Sequence, residues 1–252
     1  MFCERAMTLD GRGGHVLHAV ACQPADPRAC VVMCYPLFEE RKYAQRAYVT
    51  LARMLAARSI ASLRFDYFAC GNSEGHFREA TLERWISDAA CAMESAGGMA
   101  GAVMAMGLRM GANIAWAAAE RTPGCRRLLL WDRIEDTSRY LASERRRNGI
   151  RDMFARRAET PSTARQGESC DLAGYEVGAA LCEEFEAGPT APASQARDAR
   201  IMPARTRPPH ADSESDDADA IVARCAPFWS LPDADFRPFV LQSADYFAGV
   251  AE

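Results

Sequence analysis

Short, continuous apolar segments alternate with amphipathic segments over the first half of this chain. Continuous apolar runs are typical of strands that are buried on both faces, and the segments between them carry apolar residues at helical spacing. This alternation favours a mostly parallel sheet with right-handed crossovers and helices on both faces, an α/β fold. The predicted strands are residues 29–35, 60–65, 102–108 and 127–131, adjacent and central, with an edge strand at residues 16–22.

The alternation stops at Asp132 and resumes near residue 199. The segment between these points, residues 133–198, is rich in arginine, alanine, serine, proline and glycine. We interpret it as a cap or lid inserted into one domain, whose core is formed by residues 1–132 and 199–252. Its arginines are explained either as a solvated helix face that pairs with Glu144 and Asp152, or as a docking surface for an acidic partner or substrate.

Composition excludes several classes of protein. The net charge of −4 gives no general attraction to nucleic acid or to anionic membranes. No apolar run reaches the ~18 residues that a membrane helix needs. The ten cysteines include no C-x-x-C pair, so we expect no metal site and no cofactor. Free thiols and the lack of an apolar leader predict a cytoplasmic protein.

A sharp turn is predicted between the strand at residues 102–108 and the helix that follows. Two glycines, Gly107 and Gly111, flank Leu108, Arg109 and Met110. This G-x-Nu-x-G pattern, between a strand and a helix, is typical of a nucleophile elbow. The central residue is Arg109, whose guanidinium stays protonated and offers only hydrogen-bond donors, so it cannot attack an acyl group.

Four segments together resemble the α/β-hydrolase superfamily, over residues ~30–132. They are residues 38–42 (FEERK), 64–75 (RFDYFACGNSEG), 107–111 (GLRMG) and 128–132 (LLLWD). Within the superfamily they look most like serine aminopeptidase-type proteins known as exosortase A system-associated hydrolases, which accompany exopolysaccharide loci in Gram-negative bacteria. The resemblance implies an α/β-hydrolase fold with a cap, and a subgroup in which arginine at position 109 is a shared feature.

The resemblance also indicates where the remaining catalytic groups should lie. An oxyanion hole would use the amides of Leu37 or Phe38 together with Met110, because Pro36 has no N–H. The catalytic histidine belongs near residues 225–229, which contain none. His210 follows the predicted seventh strand, and the triad acid would be Asp132, Asp212 or Asp216. We expect His15 and His18, near the first strand, to lie at the surface.

A second G-x-S-x-G sequence is present at residues 71–75. It follows a loop and precedes no apolar helix, so Ser73 is a poor candidate nucleophile. His76 is too close to Ser73 in sequence to be an obvious base.

Arg109 at a helix N-terminus calls for a nearby negative charge. Glu39, Glu40 or Asp132 could supply it internally, or the site could bind a carboxylate, sulfate or phosphate. The sequence therefore favours a hydrolase-like protein without a Ser-His-Asp triad, which binds a small anionic or acyl-bearing molecule or a partner protein. The alternatives are an atypical ester, thioester or amide hydrolase or acyltransferase, and a purely structural role.

Overall fold

The structure is a computed structural model that describes residues 1–154, 169–188, 200–207, 220–231 and 233–251. Its strands are β1 (Phe2–Asp10), β2 (Val16–Pro24), β3 (Ala29–Cys34), β4 (Ile60–Phe65), β5 (Val103–Leu108), β6 (Cys125–Trp131), β7 (Cys170–Leu172), β8 (Tyr175–Val177), β9 (Arg200–Arg207) and β10 (Ile221–Arg224). Its helices are α1 (Phe38–Ala57), α2 (Leu82–Gly97), α3 (Met110–Glu120), α4 (Thr137–Phe154), α5 (Ala179–Glu186) and α6 (Arg237–Val250), with a 3₁₀ turn at Phe77–Glu79.

Eight of these strands form one sheet in the order β1-β2-β4-β3-β5-β6-β9-β10. The ladders from β4 through β3, β5, β6 and β9 to β10 are all parallel. Every residue of β3, β4 and β5 is buried, as strands covered by helices on both faces require. The prediction of four adjacent, parallel, central strands is confirmed.

The predicted edge strand at residues 16–22 is wrong in its position. β2 pairs with β1 on one side and with β4 on the other, so it lies inside the sheet. The edge is β1, which the charged sequence of the N-terminus did not reveal. Seven of its nine residues are exposed, because only one strand covers it, and apart from Phe2 these exposed residues are polar or small.

Features of their own sequences explain why α2 and α3 form. Thr81 Oγ1 accepts a 3.1 Å hydrogen bond from the Arg84 amide and so caps α2. α3 is almost wholly apolar, and it packs against β5, β6 and α2. None of the described helices is both long enough and apolar enough to cross a membrane.

The segment predicted to be an insert, residues 133–198 and called the insert below, contributes α4, the β7–β8 hairpin and α5 to the described structure. It contacts the first turn of α1 through two tyrosines. Tyr140 donates to Glu40 Oε2 at 3.2 Å, and Tyr175 donates to the Phe38 carbonyl at 3.4 Å. The insert therefore lies against the core at the carboxyl edge of the parallel strands. The candidates His210, Asp212 and Asp216 fall outside the described residues.

Candidate functional site

The turn between β5 and α3 has the strained geometry that its sequence predicts. Arg109 has φ 57° and ψ −126°, a backbone conformation that costs a non-glycine residue about 1–3 kcal/mol. A Cβ on Gly107 would overlap the backbone of Gly111 and Ala112, and a Cβ on Gly111 would overlap the carbonyls of Cys34 and Tyr35. Both glycines are therefore required for β5, β3 and α3 to approach this closely.

The charge of Arg109 is compensated from within the protein. Its Nε donates to Glu40 Oε1 at 3.1 Å, and the Glu40 side chain is 1% exposed. Burial raises the pKa of Glu40, and the Arg109 charge opposes that rise. Glu39, the other candidate on this turn of α1, instead forms an ion pair with Lys42 at 2.6 Å. Of the two glutamates, only Glu40 points to the turn.

Two aromatic rings flank the Arg109 guanidinium. The ring centroids of Tyr140 and Trp229 each lie 5.7 Å from its Cζ atom, within the range of cation–π attraction. Trp229 belongs to the segment in which the family resemblance places a catalytic histidine. Sequence reasoning noted that this segment lacks histidine, but missed that its tryptophan packs on Arg109.

Asp132 lies directly after β6, with φ 44°. Both of its carboxylate oxygens accept from the Thr206 amide, at 3.2 and 3.1 Å, and so fasten β6 to β9. Burial raises the pKa of Asp132 to about 6, against the opposing effects of Thr206 and of the Arg109 and Arg205 charges. Asp132 therefore holds β6 to β9 through the Thr206 amide. The positive charge of Arg109 lowers the pKa of the Asp132 carboxyl.

Glu144, on α4, adds a second buried carboxylate near Arg109. It forms an ion pair with Arg147 at 2.8 Å, as expected for a helix whose arginines pair with Glu144. Burial raises its pKa to about 7; the Arg147 and Arg109 charges lower it, whereas Glu40 raises it further. Two glutamates and Arg109 thus share a poorly solvated region between α1, α3 and α4.

The second G-x-S-x-G sequence is a structural loop. Ser73 Oγ donates to the Asp66 carbonyl at 2.6 Å and accepts from the His18 amide at 2.8 Å. His76 is exposed and precedes the 3₁₀ turn without a side-chain capping bond. The Ser73 hydroxyl is therefore engaged in joining this loop to β2.

The expectation that His15 lies at the surface is wrong. Its side chain is 9% exposed, and its Nε2 lies 2.8 Å from Asp88 Oδ1 on α2. Asp88 Oδ2 also accepts from the Phe68 amide at 2.8 Å, so the pair fixes the loop after β4. His18 is partly exposed, with its Nδ1 3.7 Å from Asp66 Oδ2.

A small cavity of about 150 Å³ lies between the core and the β7–β8 hairpin. Two predicted ligand contacts, Leu37 and Phe38, line it, whereas Arg109, Met110 and Glu39 are not part of its wall. Its remaining wall consists of Pro36, Arg41, Tyr67, Ala69, Cys70, Gly71, Phe77, Gly174 and Tyr175.

Arg41 is the cation in this wall. Its Nη2 forms an ion pair with Asp66, and its Nε is buried without a hydrogen-bond partner among the described residues. Phe38 and Met110 are the first residues of α1 and α3, so their amides have no acceptor inside those helices. Within the described structure, no three His, Cys, Asp or Glu side chains gather in a group that could hold a metal ion.

No protein-family model matches the chain, and no curated protein matches its sequence. Solved structures do match its fold. A hypothetical protein from Pseudomonas aeruginosa superposes with a TM-score of 0.67 at 14% identity, over 99% of this chain and 93% of that one. A protein assigned as a hydrolase from Agrobacterium vitis superposes with a TM-score of 0.61 at 14% identity, over 100% of both chains.

Est1E from Butyrivibrio proteoclasticus, solved with ferulic acid bound, has a TM-score of 0.62 at 15% identity, over 98% of this chain and 100% of that one. The chain has the α/β-hydrolase fold. At this identity the likeness shows the fold alone, because one fold carries many functions. Within this α/β-hydrolase fold, Arg109, Arg41 and the cavity are the features that could bind a ligand.

Proposed function

We propose that this chain is a binding protein built on the α/β-hydrolase fold, which takes a small carboxylate with an apolar body and does not cleave by a Ser-His-Asp triad. The observation that carries the proposal is the cavity with the charged side chain of Arg41 in its wall. The Arg41 side chain is 20% exposed, so its guanidinium can meet the carboxylate of a bound molecule.

Size and lining support a small, largely apolar ligand. A cavity of about 150 Å³ can hold a benzene-sized group. Phe38, Tyr67, Phe77 and Tyr175 supply aromatic surface for that group. Arg41 would pair with the carboxylate, a contact in which charge strengthens the hydrogen bond.

Several features argue against triad hydrolysis. Arginine replaces the nucleophile, Trp229 packs where a base is expected, and the Ser73 hydroxyl is already hydrogen-bonded both as donor and as acceptor.

From the motif resemblance, we further propose that the protein acts in a bacterial pathway of the exopolysaccharide type. We also propose a cytoplasmic location, because all ten cysteines are free, as suits a reducing compartment.

Calorimetry with benzoate, cyclohexanecarboxylate and the neutral analogue benzamide tests the proposal. We expect both acids to bind, benzamide to bind at least about tenfold more weakly, and Arg41→Gln to abolish that preference. Arg53→Gln is the matched control, since Arg53 also lies on α1 and pairs with a carboxylate, Glu4, away from the cavity. Equal binding of acid and amide, or unchanged binding by Arg41→Gln, would refute the proposal.

Arg109 is the other candidate site for the carboxylate, and the same calorimetry distinguishes it from the site at Arg41. Only its Nε is hydrogen-bonded among the described residues, and its side chain is 23% exposed. If the acids bind to Arg41→Gln as to the unaltered protein, but not to Arg109→Gln, the anion site is at the turn.

The second candidate is an atypical ester or thioester hydrolase. The observation in its favour is that the amides of Phe38 and Met110 are free of intrahelical acceptors, as an oxyanion hole requires. A fluorophosphonate probe followed by intact mass tests for a reactive serine. Stoichiometric labelling of any serine would establish this candidate and overturn the binding role.

A further inference from the structure

Two cysteines of the insert have their sulfur atoms in contact. Cys170, on β7, and Cys182, on α5, have Sγ atoms 3.8 Å apart. Both residues are buried, Cys170 at 5% exposure and Cys182 at 0%. A disulfide requires an S–S distance of ~2.05 Å, so the two sulfur atoms must approach each other by a little under 2 Å to bond.

Arg145 supplies a positive charge beside the two thiols. It comes from α4, its Nη1 pairs with Glu186 Oε1 at 3.0 Å, and it interacts electrostatically with both sulfur atoms. A nearby cation favours the thiolate, which is the form that reacts. Cys170 is the more exposed of the two, at 5% against 0% for Cys182, so it is the better placed to meet a peroxide first.

We propose that Cys170 and Cys182 are a redox-active dithiol that closes to a reversible disulfide when the protein meets a peroxide. Cys170, as thiolate, attacks one peroxide oxygen; the O–O bond breaks, a sulfenic acid forms, and the released hydroxide takes up a proton to become water. The Cys182 thiolate then attacks that sulfur, the S–O bond breaks, and the oxygen leaves as hydroxide; the protons that the two thiols gave up on ionising convert both hydroxides to water. Both thiols are oxidised, and the peroxide is reduced.

The bridge would fasten the β7–β8 hairpin to α5. Gly174 and Tyr175, which lie between the two cysteines in sequence, form one wall of the cavity. The Tyr175 hydroxyl also contacts the Phe38 carbonyl on the opposite side. Oxidation would therefore restrict the wall that faces the core, while reduction by a thiol would release it.

Treatment of the folded protein with hydrogen peroxide or diamide, then denaturation, alkylation and peptide mapping, tests the inference. We expect the loss of two thiols and a cross-linked peptide that contains Cys170 and Cys182, reversed by dithiothreitol. This measurement needs no variant, so it does not depend on how a substitution folds. Failure of both oxidants to produce this cross-link in folded protein would overturn the inference.

Matched variants show that the pair is specific. Cys170→Ala and Cys182→Ala should each form no internal cross-link under the same treatment, and Cys182→Ala treated with peroxide should stop at a sulfenic acid on Cys170. Cys225→Ala, which removes a buried cysteine elsewhere, should still form the bridge. A cross-link that persists in Cys182→Ala, or one that runs through another cysteine, would contradict the assignment. Carboxylate binding plays no part in this readout, so the two proposals fail separately.

Discussion

Arg109 Nε and Glu40 Oε1 lie 3.1 Å apart, at a turn where hydrolases of this fold carry their nucleophile. The pair joins the start of α3 to the start of α1. Because Glu40 is almost fully buried, its charge depends on Arg109 for compensation. Removing one partner of this ion pair should therefore lower the free energy of unfolding.

Arg109→Ala should destabilise the protein by about 2–4 kcal/mol, because it leaves Glu40 buried without its partner. The double variant Glu40→Gln with Arg109→Ala should recover part of that loss, since a neutral amide is less costly to bury than a carboxylate. Urea denaturation of the four proteins of this double-mutant cycle measures the coupling. Additive effects of the two substitutions would contradict the pairing.

Glu144 should make stability depend on pH. Its pKa rises from the ordinary 4.5 to about 7 on folding, so the folded chain holds the proton more tightly than the unfolded chain. That stabilisation is fully present below pH 4.5 and is lost as the pH rises through about 7. Glu144→Gln should reduce the fall in stability between about pH 5 and pH 8 by about 1–3 kcal/mol.

Glu39→Gln is the control for this pH effect. Glu39 is a glutamate near the same region, but it is more exposed and pairs with Lys42 at the surface. The Glu39 charge is the smallest of the causes given for the raised pKa of Glu144, so Glu39→Gln should reduce the fall in stability far less than Glu144→Gln does. A profile for Glu144→Gln that matches the unaltered protein would show that Glu144 does not carry the effect.

Gly111→Ala should destabilise the fold by about 3 kcal/mol or more, because the added methyl group meets the backbone carbonyls of Cys34 and Tyr35. Gly101→Ala is the control, since nothing lies within 4 Å of a Cβ there. Thermal unfolding of the two variants compares them. Similar melting temperatures would contradict the close approach of α3 to β3.

Ser73→Ala should cost about 1–2 kcal/mol, since it removes the hydroxyl that joins the Asp66 carbonyl to the His18 amide. Any ester hydrolysis that the protein shows should remain, because Ser73 is structural. Chemical denaturation and an assay with p-nitrophenyl esters check the two statements. Loss of an existing esterase activity in this variant would assign the nucleophile to Ser73.

Arg109→Ser should not create an esterase. A serine at the turn needs a base to remove its proton, and Trp229 packs there instead of a histidine. We expect turnover of p-nitrophenyl esters no faster than that of Arg109→Ala, which is the matched control. Measurable acyl-enzyme in Arg109→Ser alone would show that a base is available.

The central sheet was predictable because its strands are continuous apolar runs that only a doubly covered sheet can bury. The turn at Arg109 was predictable too, since few structures need two glycines in that spacing between a strand and a helix. β1 was not predictable in the same way. An edge strand has one neighbour and one exposed side, so its sequence need not be apolar.

The surroundings of Arg109 were only partly predictable. Glu40 was among three candidate partners, and the sequence could not choose between Glu39 and Glu40 because the first residues of α1 follow an unusual positive φ at Phe38. Trp229 and Tyr140 come from segments far away in sequence. Their contact with Arg109 depends on how α4 and the loop after β10 pack, which local patterns do not encode.

Tyr140 and Trp229 have a further consequence for how the molecule opens. One belongs to the insert and the other to the C-terminal part of the core, and both rings lie on the same guanidinium. Displacing α4 therefore means giving up contacts with α1, with the turn before α3 and with the chain after β10 together. In hydrogen exchange, we expect the amides of α4 near Tyr140 to be released with those at the start of α3, as one cooperative unit.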